Sequence, residues 1–263
     1  VVTAFEFRMH RFGPNLVRGL RIYRPEDALA VFGAFESFLP VAPRELSFSF
    51  VIARAWPAED YPPEIAGGPI AVISFSHSSG SEVKALEAVA ALDAAAKPVV
   101  DSVSAQPYLE VQGLYDTTYA WGVRFACAGG YANVVRPETI SAGVDHMARG
   151  IDDASIGFTA QGGAIADLPE DAMAFSGRQA AMRLLAEEMW EDPARDADAK
   201  RWCLEARDIF VGDTVPGHYV NEVPDDVTDP AAIYGPAKAE RLRALKQTWD
   251  PDNVFRLNKN IAP

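Results

Sequence analysis

The sequence predicts an α+β domain, a mostly antiparallel sheet with helices packed on one face. Three observations carry that expectation. Leu46, Phe48, Phe50 and Ile52 alternate with Ser47 and Ser49, the period of a strand with one apolar face. Ala199, Trp202, Cys203, Ala206, Ile209 and Phe210 recur at helical spacing across 196–210. Between and around them strand and helix signals alternate, with no low-complexity tract, internal repeat or clear linker in the sequence. A chain of 263 residues is long enough to bury a substantial core, and the expectation is a single domain over 1–263.

Taken in order, residues 2–10 read as a strand, with Phe5 and Phe7 alternating with Ala4 and Glu6. A chain that opens in mid-strand is expected to have been cut from something longer. Pro25 opens a helix, where its missing N–H is harmless, with Leu29, Phe32, Phe35 and Leu39 on one face. Gly67, Gly68 and Pro69 break the chain before a strand at 69–77. Ser81 and Glu82 start a helix expected to carry Val83, Leu86, Val89 and Ala90 to the core. Strands are expected at 119–127 and 154–161. Between them a helix from Pro137 to Arg149 turns Ile140, Val144, Met147 and Ala148 inward. Ala181 to Trp190 carries helix-favouring residues and reads as helix or strand. Pro236 starts the last helix, with Leu242, Leu245 and Trp249 expected to face in.

Composition narrows the function classes. The chain holds 24 Lys and Arg against 37 Asp and Glu, a net charge of −13. Nucleic acid and anionic membranes demand a basic face, so neither is an expected partner. Cys127 and Cys203 lie far apart and form no metal-ligand spacing, which makes free thiols the expectation and a metal site unexpected. No signal peptide or membrane span is read, so a soluble, cytoplasmic protein is expected. His10, His77, His146 and His218 are scattered singly. There is no glycine-rich phosphate loop and no nucleophile elbow.

The last thirty residues are the most specific segment. Tyr234-Gly235-Pro236-Ala237-Lys238 leads through Arg241-Leu242 and Leu245-Lys246 to Trp249-Asp250-Pro251-Asp252-Asn253, a turn by its residue types. Val254-Phe255-Arg256-Leu257-Asn258-Lys259-Asn260-Ile261 follows. This pattern closely resembles the C-terminal signature of FAD-linked oxidoreductases of the berberine bridge enzyme-like group, in the vanillyl-alcohol-oxidase-type superfamily. The likeness continues through Gly162-Gly163-Ala164, Ala174-Phe175, Arg178 and Trp190-Glu191-Asp192-Pro193, in family order. It favours a strand at 181–190.

That resemblance implies a substrate-binding half whose open sheet face roofs a flavin. Its tail, from about 217 to 263, would return toward an FAD-binding domain of the same parent chain. It implies FAD as cofactor, a small-molecule substrate, and oxidation of an alcohol, amine or sugar-like carbon by hydride transfer. His218-Tyr219-Val220-Asn221 resembles the family's Tyr-x-Asn stretch beside the flavin, so Tyr219 and Asn221 are implied cofactor contacts, joined by Asn258 and Asn260 of the tail. Glu222 stands where the family often has an aromatic residue. Related enzymes often place a tyrosine or carboxylate on the sheet as the base. The strand at 155–161 has no carboxylate, so Tyr119 becomes the candidate base, with Gln161 and Arg124 as orienting groups. Tyr119 and Trp121 are expected to share a face, as are Thr159 and Gln161. A phenol acting as base needs a nearby cation to lower its pKa from about 10, and Arg124 is the candidate. The rival reading is a non-catalytic α+β module that binds a ligand or partner, a degenerate or truncated relative. Glu222 and the missing sheet carboxylate favour it.

Overall fold

The computed structural model describes residues 2–8, 13–150, 153–224 and 226–263. Eight strands form one antiparallel sheet: β1 (Asn15–Tyr23), β2 (Leu46–Arg54), β3 (Pro69–His77), β4 (Val100–Pro107), β5 (Arg124–Ala132), β6 (Asp153–Ala160), β7 (Met182–Trp190) and β8 (Thr214–Val215). Their order across the sheet is β4-β1-β3-β2-β6-β7-β5-β8. Helices α1 (Ala28–Phe38), α2 (Glu82–Val89), α4 (Pro137–Met147) and α5 (Asp196–Phe210) accompany the strands. A short α3 (Tyr108–Gln112) follows β4, and α6 (Pro230–Tyr234) and α7 (Pro236–Trp249) close the chain.

The topology contains a duplication that the sequence conceals. Strand, helix, strand, strand, helix, strand occurs twice, as β1-α1-β2-β3-α2-β4 and as β5-α4-β6-β7-α5-β8. Each half has the strand order of a split βαβ unit, 4-1-3-2. The halves meet where β2 pairs with β6, Phe50 opposite Phe158 and Ile52 opposite Ile156.

The core lies between one sheet face and the helices. Phe32 of α1 meets Phe50 and Phe158 edge-on at centroid distances of 5.2 and 5.1 Å. Phe158 meets Phe210 of α5 at 5.3 Å. Burying a side chain of this size stabilises the fold by roughly 1.5–3 kcal/mol. Trp202 stacks on His146 at 4.8 Å, locking α5 against α4. Glu188 is also buried on this side, where Arg195 pairs with it.

The strand at 46–54, the strand at 69–77 and the helix at 196–210 form with the expected bounds. The 181–190 segment is a strand, starting at Met182. Other expectations are corrected. Residues 2–8 have no regular structure, and 9–10, with His10, lie outside the described residues. The first strand is β1 instead, which the pattern hides because Arg18, Gly19 and Arg21 interrupt it. Arg21 is nevertheless buried, paired with Asp93 and Asp101 and lying over the Phe75 ring. Gly19 leaves room for that ring, since a Cβ there would come within 2.0 Å of it.

β4 is a polar edge strand and gave no apolar alternation. The strand expected at 119–127 begins only at Arg124, with Tyr119 and Trp121 in the turns before it. In α1 the inward set is Ala28, Val31, Phe32, Phe35 and Phe38, while Leu29 is exposed. In α2, capped by Ser81, Ala85 and Val89 face in while Val83 and Leu86 are exposed. On α7 only Ala239 is buried, and Leu245 and Trp249 face outward.

Candidate functional site

The second sheet face is largely free of helices, and its floor follows from the register. Directly opposed residues share a face. One row runs Leu20, Ser74, Ser49, Thr159, Arg183 and Tyr131 across six strands. A neighbouring row places Arg18 beside Ser76 and Ser47. Further along, Ser155 opposes Glu187, which opposes Cys127. One end of this face is covered by the loop after β2, where Ile65 and Tyr61 pack with Ile22, Val51, Ile70 and Val72. The middle is roofed by α3 and the turn after it. Val111, Leu114 and Tyr115 enclose a cleft of about 220 Å³ over the serines and Thr159.

Past that cleft a polar cluster gathers around β7. Tyr119 donates to Glu187 Oε1 at 3.4 Å, and Ser155 Oγ donates to the same oxygen at 3.2 Å. Arg183 pairs with Glu222 at 3.0 Å, and its guanidinium lies 5.5 Å from the Tyr219 ring centroid. Asn221 donates to the Tyr219 hydroxyl at 2.9 Å. Cys127 Sγ donates to the Glu222 carbonyl at 3.6 Å.

Burial raises the Glu187 pKa, opposed by the Ser155 and Tyr119 hydrogen bonds and the Arg183 charge. Burial raises the Glu222 pKa as well; the Arg183 charge opposes the shift and that of Glu187 reinforces it. Tyr119 is pushed up to about 12, first by burial and then by the Glu187 charge and hydrogen bond.

These contacts relocate the sequence-predicted residues. Arg124 does not serve Tyr119, because its guanidinium is held by Asp196 at the start of α5. The charges acting on Tyr119 are those of Glu187 and Glu222, which strengthen its hold on its proton. Trp121 is fully exposed and shares no strand face with Tyr119. Thr159 joins the floor, but Gln161 lies beyond the end of β6 and donates to the Gly177 carbonyl at 3.3 Å. Gln161 lies six positions beyond Ser155, which faces Glu187, about 20 Å along an extended strand. Tyr219 and Asn221 do join the cluster, through Arg183 and Glu222.

In the tail, Lys246 ties the end of α7 to Asp250 and to the Phe255 carbonyl. Lys259 donates to the Pro224 and Val227 carbonyls at 2.6 and 3.1 Å. Asn258 flanks it in the left-handed region at φ 63°, and the Asn260 side-chain oxygen is buried without a hydrogen-bond partner among the described residues. The tail is therefore anchored to the loop that carries Glu222 onward, while both amides lie outside the Glu187 cluster's hydrogen bonds.

That anchored tail is where a family model matches. Residues 218–262 match "Berberine and berberine like". The chain resembles that family through this tail. Its relatives include the uncharacterized FAD-linked oxidoreductase YgaK of Bacillus subtilis, 35% identical over 115 residues, 42% of this chain and 24% of YgaK. An FAD-linked oxidoreductase of Dictyostelium discoideum aligns over the whole chain at 22% identity, covering 55% of that protein. Among solved structures, BBE-like 1 of Physcomitrella patens superposes with a TM-score of 0.79 at 18% identity, over 97% of this chain and 55% of its own. The chain thus spans about half the length of the relatives it follows from end to end.

The residue that sequence reasoning missed is Glu187, with Arg183 beside it. A signal existed. Once 181–190 is read as a strand, Arg183 and Glu187 fall on one face, and a carboxylate stands on the sheet after all. Among the described residues, no His, Cys, Asp and Glu group is arranged to hold a metal ion, and no helix is long and apolar enough to cross a membrane. Cys127 and Cys203 are free thiols.

Proposed function

We propose that this chain is the substrate-binding half of an FAD-linked oxidoreductase that oxidises an alcohol, amine or sugar-like carbon, with Glu187 as the base. The observation that carries this reading is the meeting of Glu187, Tyr119 and Ser155 on the sheet face away from the core helices. A carboxylate whose pKa is raised by burial is a stronger base than a solvated one. Tyr119 keeps its proton and donates a hydrogen bond to Glu187, so its role is to aim the carboxylate rather than to act as the base first expected. Ser155 fixes the same oxygen from the floor. Substrate would lie over the serine floor under α3, with its reacting O–H or N–H directed at Glu187.

FAD, when bound, supplies the hydride acceptor. The residues present suit the roof of a flat ring. Tyr131 Oη and Arg183 Nε are buried with no partner among the described residues, both on the open-face row. Such orphans in a folded chain call for a polar partner. Tyr219 and Asn221 border the same place and would contact the ring; Asn258 and Asn260 would approach from the tail. The FAD-binding domain of the parent chain would then cover the outward apolar residues Leu245, Trp249, Phe255 and Leu257. The rival reading of a non-catalytic module drew on the missing sheet carboxylate, and Glu187 supplies one.

The test is Glu187→Gln in the full-length protein, assayed against a panel of sugars, secondary alcohols and amines. The expected outcome is an unchanged flavin spectrum and a fall in kcat of about 10²- to 10⁴-fold, the usual contribution of a positioned base. A variant that turns over at the wild-type rate would exclude Glu187 from this role.

A further inference from the structure

The floor of the cleft carries a cation with no counter-charge. Arg18 is half-buried on the open face of β1, opposite Ser76 on β3 and Ser104 on β4, and lines the cleft under α3. It makes no hydrogen bond or ion pair with any described residue. The sheet's other arginines are engaged, Arg21 by Asp93 and Asp101, Arg54 by the Gly67 and Gly150 carbonyls, Arg124 by Asp196 and Arg183 by Glu222. In a chain of net charge −13, carboxylates are plentiful, yet none has been placed against Arg18. A guanidinium presents five donors and no acceptor, and its fork matches a planar oxyanion through two parallel hydrogen bonds.

We infer that Arg18 is a specificity residue that receives a carboxylate of the substrate. The inference rests on the oxidoreductase reading above and names the substrate class. A single cation suits a singly charged carboxylate better than a phosphate monoester, which carries nearly two charges. The neighbours of Arg18 describe the rest of the ligand. Ser47, Ser49, Ser74, Ser76 and Thr159 form a floor of hydroxyls that both donate and accept, and Tyr115 adds an aromatic wall. Such a surface fits a polyhydroxylated ring with one polar and one flatter face.

Scale then fixes the substrate's length. β1 and β7 are separated by four strand spacings, through β3, β2 and β6. That is about 19 Å across the strands, and Arg18 is level with residue 161 while Glu187 is level with Ser155, about 20 Å along them, so the two backbones lie roughly 28 Å apart before their side chains reach toward each other. The carboxylate and the oxidised carbon therefore belong to different units of one molecule. The class is an elongate, acidic oligosaccharide, oxidised at one end and read as an anion at the other.

The experiment is isothermal titration of the full-length protein with a trisaccharide ending in one uronic acid, with its methyl ester, and with a terminally sulfated counterpart. The wild type is expected to bind the acid about tenfold more tightly than the ester. Arg18→Gln should bring the acid to the ester's affinity without changing ester binding, and Arg18→Lys should restore part of the preference. Equal affinity for acid and ester, no binding of either, tighter binding of the sulfate form, or a preference surviving in Arg18→Gln would each overturn the inference. The readout is independent of turnover, so Glu187→Gln should keep the acid preference. If that variant also keeps wild-type turnover while the preference depends on Arg18, the catalytic reading fails and the carboxylate site stands.

Discussion

Glu187 and Glu222 both sit where burial favours the protonated form, and Arg183 is the cation that keeps the pair tolerable. Such an arrangement is costly to stability, and the cost has a definite pH dependence. A carboxyl whose folded pKa is raised contributes stability that is fully present below its unfolded value and is lost as pH rises through the folded one. Glu187→Gln stays neutral throughout, so it should melt at a higher temperature than wild type near pH 7. The gap should close below about pH 4, where the wild-type carboxyl is protonated in both states. Thermal melts across that range check it, and a gap independent of pH would contradict the assigned burial. Glu187 escaped the sequence because Met182, Leu184, Leu185 and the glutamates suit a helix as well as a strand. Only pairing with β5 and β6 decides which side chains share a face.

Elements with one apolar and one polar face were legible, and elements that break that rule were not. β2 and α5 could be bounded to the residue because their patterns are periodic and their burial follows the pattern. β1 was missed because its helix-side positions hold Gly19 and Arg21, an absence and a charge where an apolar residue is the usual signal. Gly19 is an empty place for the Phe75 ring, so any larger residue must displace a core aromatic. Gly19→Val is expected to destabilise by about 1–3 kcal/mol, the usual cost of overpacking. Denaturant unfolding would measure it, and a neutral result would mean that the Phe75 ring has space to withdraw. Leu29, Val83 and Leu86 were assigned inward because an apolar residue at helical spacing was given a face, whereas short helices on a sheet bury a narrower stripe. The same error befell α7, where Leu245 and Trp249 follow the helical period but are exposed.

At the scale of the molecule, a duplicated βαββαβ plan produces one continuous sheet with a single helix-covered core and a second face largely free of helices. No repeat was visible in the sequence because the two halves share strand order and helix placement rather than residues. The general α+β class was legible, as was the berberine-like tail, because both rest on local pattern. The cleft was not, because it is assembled from four strands and a crossing segment far apart in sequence. A roof over a ring differs from a cradle for its phosphates, and no glycine-rich phosphate loop occurs among these 263 residues. The isolated chain is therefore expected to hold FAD weakly. After purification and desalting, its visible spectrum should show far less than one flavin per chain, and a stoichiometric flavin spectrum would overturn that expectation.

The segment between β4 and β5 has a geometric obligation. Its first end is fixed at one margin of the sheet and its last is one strand short of the opposite margin. Residues 108–123 must traverse nearly the whole width, and the placement of Val111, Leu114, Tyr115 and Tyr119 marks the route taken. Because these residues belong to no ladder, lengthening or shortening them would leave every strand pairing intact while changing the height of the chamber beneath. On the proposed reading, substrate range can thus drift through one span, with the load of folding carried elsewhere.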